Sequence, residues 1–152
     1  MPHLVILYTA NLDRPAAEDG TDMGADMSGL CRALADTMLA ARDEAGQPVF
    51  PPGGVRVLAY PAPHFAVADG GAAGRAAGGS GDYGFVYLNL RMGRGRSKDT
   101  ISIAGNALLA SARAHFDHQL AHQHIGVTLQ IDEGPEVFDA KTSSLHPLFK
   151  KT

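Results

Sequence analysis

The sequence predicts a two-layer α+β domain built from two tandem β-α-β units, with the helices on one face of the sheet. Three observations predict it. Short runs of β-branched and other apolar residues occur four times, at 4–8, 55–60, 83–90 and 125–131. Within each pair of runs lies a longer stretch with apolar residues every three or four positions, the spacing of one helix face. The order strand, helix, strand is then repeated, which reads as an internal duplication. A β-α-β crossover implies parallel pairing inside each half.

The elements follow in order. Leu4-Val5-Ile6-Leu7-Tyr8 is apolar at both parities, as expected of a strand covered on both faces. Residues 11–22, with Pro15, Gly20 and several acids, read as a loop. Thr21 or Asp22 is placed to cap a helix, because a short side-chain oxygen satisfies the free N–H groups of a first turn. Met23, Met27, Leu30, Leu34, Met38 and Ala41 form its apolar stripe, and Gly46 and Pro48 are expected to stop it. After Pro51-Pro52-Gly53-Gly54 comes the second strand, Val55-Arg56-Val57-Leu58-Ala59-Tyr60, ended by Pro61 and Pro63. In the second half, Gly93-Arg94-Gly95-Arg96-Ser97 is a turn with Ser97 as the helix cap. Ile101, Ala104, Leu108, Ala112, Phe116 and Leu120 then make one continuous stripe before the last strand. Matching the halves sets Leu4-Val5-Ile6-Leu7 against Phe85-Val86-Tyr87-Leu88 and Gly54-Val55-Arg56-Val57 against Gly126-Val127-Thr128-Leu129. That alignment puts Tyr83 in the place of Pro2.

The 152 residues are expected to form a single domain, 1–152, with halves at about 2–69 and 82–133. A loop rich in Gly and Ala, 70–81, joins the halves and reads as a flexible linker. It has no Gly-Lys-Ser/Thr ending, so a phosphate cradle is disfavoured. The tail, 134–152, carries Leu145, Leu148 and Phe149 and is expected to dock. Thirteen basic against sixteen acidic residues give a net charge of −3 and a pI near 6.1, which argues against nucleic acid as a partner. The longest aliphatic run, at residues 4–7, is too short for a bilayer, so no membrane partner is expected. One cysteine, Cys31, and a start without a basic, apolar leader make the cytoplasm the expected location. Strands apolar on both faces, with helices on one, call for an oligomer whose sheets meet.

Three residues stand out for chemistry. Removal of Met1, common before a small residue, would leave Pro2 as a secondary amine at the edge of a buried strand. An α-amino group titrates near about 7.7–8.0, and burial or nearby cations lower that value, so such an amine is suited to general-base work. Spacing alone favours an ordinary second residue. Arg56 is a charge inside an apolar strand; it is either an edge arginine with its head in water or a carboxylate clamp. Arg96, after Gly93 and Gly95 and just before a helix start, is either a surface arginine on a glycine turn or part of an anion nest. His115, His118 and His122 share one helix side, but Gln119 stands where a zinc protease would carry its glutamate, and no metal is expected. Cys31 has no histidine motif beside it and reads as an inert, partly buried thiol.

Taken as a set, these residues resemble a known family. Met1-Pro2-His3 opening a strand, Arg56, Ala68-Asp69-Gly70, Asp82-Tyr83-x-Phe85-Val86, Gly93-x-Gly95-Arg96-Ser97, His115-Phe116 and His146-x-Leu148-Phe149 run through nearly the whole chain. The set is similar to the 5-carboxymethyl-2-hydroxymuconate isomerases, members of the tautomerase superfamily with an amino-terminal proline. The resemblance implies the tautomerase-like two-layer fold, a homotrimer, Pro2 as the catalytic amine, and Arg56 and Arg96 as the groups that bind the substrate's carboxylates. It implies keto–enol isomerisation of a small polycarboxylate dienol, 5-carboxymethyl-2-hydroxymuconate, in homoprotocatechuate breakdown, with no metal or organic cofactor. Another tautomerase-superfamily reaction, or a noncatalytic trimeric binding protein, would use the same frame. An internal Tyr83 has no free amine, so each subunit is expected to hold one site.

Overall fold

The computed structural model describes residues 2–14, 24–134, 140 and 142–149. Among them, four strands make one sheet: β1 (His3–Thr9), β2 (Arg56–Ala62), β3 (Tyr83–Gly93) and β4 (His124–Gly134), in the order β2-β1-β3-β4. β1 and β2 are parallel, β3 and β4 are parallel, and the halves meet antiparallel along β1 and β3. The helices are α1 (Met27–Ala40), α2 (Ala72–Ala76), α3 (Lys98–His115) and α4 (Asp117–His122).

Strand alternation decides where the core sits. Leu4, Ile6 and Tyr8 of β1 and Val86, Leu88, Leu90 and Met92 of β3 all face one way and are buried. They pack with Leu30, Leu34 and Met38 of α1 and Ala104, Leu108 and Ala112 of α3, so both long helices cover the same face. Burying each large aliphatic contributes about 1.5–3 kcal/mol. The other face stays open in a single chain: Leu7 and Tyr60 are each 49% exposed and Leu58 is 46% exposed.

The structure corrects several sequence expectations. α1 begins at Met27, where the Asp26 carboxylate accepts from Gly29 N at 2.8 Å; Thr21, Asp22 and Met23 lie outside the described residues. It ends at Ala40, well before Gly46. Asp43 offers the backbone an alternative there, its carboxylate accepting from Ala45 N (2.9 Å) and Gln47 N (2.8 Å) in a turn. β2 continues through Pro61, which an edge strand tolerates because a missing N–H can face away from the ladder. The second apolar stripe is not one helix. It breaks at buried Phe116, and α4 takes a new course.

Two corrections bear on the duplication. Residues 70–81 are not simply a linker, since they contain α2; Asp69 caps it by accepting from Gly71 N (3.0 Å) and Ala73 N (2.9 Å). The alignment of Leu4 with Phe85 also fails on parity. Leu4 is fully buried under the helices, whereas Phe85 is 37% exposed on the opposite side of the sheet. Tyr83 shares Phe85's parity and therefore does not occupy the place of Pro2.

Candidate active site

Pro2 lies at the mouth of β1 and is buried. Its ring lies against Gly54 of the 3-10 turn Pro52–Gly54, whose Gly54 N donates to Pro51 O at 2.8 Å. A methyl group on Gly54 would sit in ordinary contact with the Pro2 ring, 3.4 Å from Cδ and 3.8 Å from Cγ, and more tightly against Pro51 Cγ at 3.3 Å. The same turn leads directly into β2, and its first residue, Arg56, is registered against His3. Arg56 Nη1 donates to Gly53 O at 3.2 Å, which leans the half-buried guanidinium back over the turn. Pro2 and Arg56 are thereby brought to one end of the sheet.

Arg96 is held differently. Its Nε and Nη2 donate to Val49 O at 3.2 and 3.0 Å, its Nη1 donates to Gly93 O at 3.1 Å, and its carbon Cζ stands 5.7 Å from the centre of the Phe50 ring. Gly95, at φ +113°, supplies the left-handed backbone that lets the chain turn into α3, whose cap is Ser97 accepting from Thr100 N at 3.0 Å. Arg96 therefore sits at the Val49 end of segment 49–54, while Pro2 and Arg56 sit at its Gly54 end. Among the described residues, main-chain carbonyls take three of the five guanidinium N–H groups. One N–H on each terminal nitrogen takes no part in these bonds.

The sequence reading missed Arg91. It follows the point at which β3 was expected to end, yet β3 continues to Gly93 and registers Arg91 against His3, on the side away from Arg56. The available signal was its alternation with Tyr87 and Asn89, the same pattern of a charge on one strand face that marks Arg56. Beside it on β4, Asp132 is held below the usual carboxylate value, first by the Asn89 amide (2.7 Å), then by Gln130 (3.0 Å), with a contribution from the Arg91 charge.

The opposite end of the sheet borders two cavities of about 300 and 310 Å³, lined between them by Asn11, Arg14, Asp82, Tyr83 and His124. Tyr83 Oη accepts from Gly74 N at 2.9 Å, and a methyl on Gly74 or Gly79 would come within 2.9 Å of Tyr83 Cε1 or His124 Cε1 respectively. Asp69 is held below its ordinary value chiefly by the Ala73 N–H, with Tyr83 and the Gly71 and Ala72 amides adding to it. Close to this end, burial and then a hydrogen bond to Asp13 push Tyr8 up to about 12. Burial raises the Cys31 thiol, as expected of an inert one. The His118 and His122 rings stack at 4.4 Å, and among the described residues no group of three or more His, Cys, Asp or Glu side chains is arranged to hold a metal.

Buried Pro2 and the strand residue Arg56 thus share one end of the sheet, with Arg96 at the far end of segment 49–54. The family model of 5-carboxymethyl-2-hydroxymuconate isomerase matches residues 2–149. The chain belongs to this family. It is 57% identical to a 5-carboxymethyl-2-hydroxymuconate delta-isomerase of known crystal structure, covering 100% of this chain and 95% of that one, with a TM-score of 0.90. A second isomerase of the family, from Deinococcus radiodurans R1, is 29% identical with a TM-score of 0.75, covering 99% and 95% of the two chains. The Escherichia coli 5-carboxymethyl-2-hydroxymuconate Delta-isomerase is 25% identical over 150 residues, 99% of this chain and 100% of that one. A fused 4-OT symmetric trimer, 17% identical over 97% of this chain and 99% of that one with a TM-score of 0.52, shares the fold. The protein is thus an isomerase of the tautomerase superfamily.

Proposed function

We propose that this isomerase converts 5-carboxymethyl-2-hydroxymuconate to 5-oxopent-3-ene-1,2,5-tricarboxylate in aromatic-compound breakdown, with Pro2 as the proton carrier. The observation that carries the reading is the buried proline at the mouth of β1, packed on Gly54 and next to the Arg56 position. With Met1 removed, the neutral prolyl nitrogen takes the proton of the dienol hydroxyl. The oxygen's electron pair forms the carbonyl, the double bonds shift, and a carbon further along the chain takes the proton back from the prolyl ammonium. The step is a net isomerisation and needs no oxidant or reductant. Arg56 and Arg96 hold substrate carboxylates, since a planar guanidinium fork matches a carboxylate bidentately. Positive charge near the dienolate oxygen lowers the barrier by stabilising charge that develops only in the transition state.

The working assembly in this reading is a homotrimer in the cytoplasm. The open sheet face with Leu7, Leu58 and Tyr60 supports it, as does the likeness in fold to a trimeric protein. Among the described residues no helix is long and apolar enough to cross a membrane. The test is to mix protein of verified amino terminus with the dienol and follow loss of its absorbance, while light scattering reports the mass. Turnover by a species of three subunits is expected. A dienol that decays only at its buffer rate would overturn the function, and a monomer at micromolar concentration would overturn the assembly.

A further inference from the structure

The carboxy-terminal 3-10 turn His146–Phe149 takes no part in the chemistry above, yet it lies against the glycine turn on which the site depends. It is built locally: Ser143 Oγ accepts from Leu145 N (3.1 Å) and His146 N (3.4 Å), and Leu148 N donates to Leu145 O (3.0 Å). A methyl on Gly53 would meet His146 Cδ2 at 3.0 Å, Phe149 Cδ2 at 3.3 Å and His146 Cα at 3.4 Å, so the tail presses directly on the Gly53 main chain. From the same short turn, Gly53 O receives the Arg56 guanidinium and Gly54 packs on the Pro2 ring. The turn lies between the tail on one side and two proposed site residues on the other.

Pro51, Pro52 and two main-chain bonds hold the start of this turn, but Gly53 and Gly54 bring no side chain of their own, and glycine has the widest backbone freedom to lose. An outside contact on Gly53 adds to that hold. We propose that His146–Phe149 is a positioning element: by pressing on Gly53 it fixes the carbonyl that orients Arg56 and the backbone that seats Pro2. The proposal rests on the reading of Pro2 and Arg56 given above. The tail remains at the surface, with Leu148 73% exposed and Phe149 54% exposed, and none of its residues belongs to the hydrophobic core. Its effect is thus on geometry and not on the fold.

Two variants test this. One ends after Thr142; the other, Gly53→Ala, keeps the tail but wedges a methyl beneath it. Each is made alone and together with Arg56→Ala, and kcat, KM, thermal melting and mass are measured with the dienol as substrate. Each variant alone should keep the parent mass and melt and raise KM about tenfold, with a smaller fall in kcat. In the Arg56→Ala background the same changes should alter KM less than about twofold, because the tail acts through Arg56. Parent KM in both single variants would overturn the proposal, as would a full second tenfold loss on top of Arg56→Ala. Loss of folded structure on truncation would assign the tail to the fold and overturn it too. An inactive parent protein would bring down the Pro2–Arg56 reading, and this proposal with it. An active parent with insensitive variants would bring down this proposal alone.

Discussion

Where β1 and β2 begin, a glycine turn closes on Pro2; where β3 and β4 begin, Gly74 and Gly79 close on Tyr83 and His124. The two ends come from the same β-α-β plan, and both use glycine for close approach. They differ in what the approached groups have left to offer. Tyr83 Oη is occupied by Gly74 N, and the Asp69 carboxylate is occupied by Gly71 N and Ala73 N. The Pro2 end presents a ring whose nitrogen becomes an amine once Met1 is gone, and the Arg56 guanidinium, which donates to Gly53 O. A repeated frame therefore does not repeat a site. At the second end Tyr83 and Asp69 are turned to the backbone of α2, while at the first the polar groups are two arginines that keep N–H groups beyond their main-chain bonds.

The largest effect is expected at the cations. Arg56→Lys and Arg96→Lys each remove a planar fork and leave a point charge, at a loss of about 1.5–3 kcal/mol, or roughly 10- to 100-fold in kcat/KM. Parent kinetics in both lysine variants, with the fold intact, would remove the carboxylate roles.

A paired substitution sharpens the contrast between the ends. Gly54→Ala sets a methyl against Pro51 at 3.3 Å and in contact with Pro2 at 3.4 Å, and should lower kcat/KM about two- to threefold with little change in melting. Gly74→Ala pushes on Tyr83, 2.9 Å from the new methyl, and should cost about 1–3 kcal/mol of stability while leaving kcat/KM of the folded protein near that of the parent. The reverse pattern would show that the working end has been misassigned.

The smallest effect is local and depends on pH. Asp69 is held below its ordinary value, so its capping contribution is complete above the usual carboxylate range and is lost as pH falls through the lowered value. The Gly71 and Ala73 amide resonances should move in that acid window in the parent protein and not in Asp69→Asn. Identical acid titrations of those amides in the two proteins would contradict the cap.

Much of the frame was legible because local and global signals agree in it. Ser97 caps α3 as its position before the apolar stripe predicts, and the alternating strands give the sheet. The cap of α1 was misread because Thr21, Asp22 and Asp26 are all competent caps within one short stretch, and only tertiary packing chooses among them. α2 was missed because glycine flanks it on both sides and hides a short Ala-rich turn that Asp69 caps from outside. The halves were misaligned because strands apolar at both parities carry no mark of which face is buried, so a one-residue slip looks as good as the true register. Arg56 and Arg96 drew attention because each breaks a local pattern, whereas Pro2 rose above an ordinary second residue only through the family resemblance. Arg91 drew none, because the end of β3 was placed at residue 90, three residues too early.

The central claim is that the Pro2 nitrogen carries the proton, and the state of the amino terminus tests it most directly. With Met1 attached, the nitrogen is a tertiary amide whose lone pair is delocalised into the carbonyl and has no useful basicity. Protein with and without Met1 can be prepared, verified by mass spectrometry and assayed side by side on the dienol. The account predicts that both forms fold and assemble alike, and that the form retaining Met1 is nearly inactive while the processed form turns over. Equal activity in the two forms would contradict it.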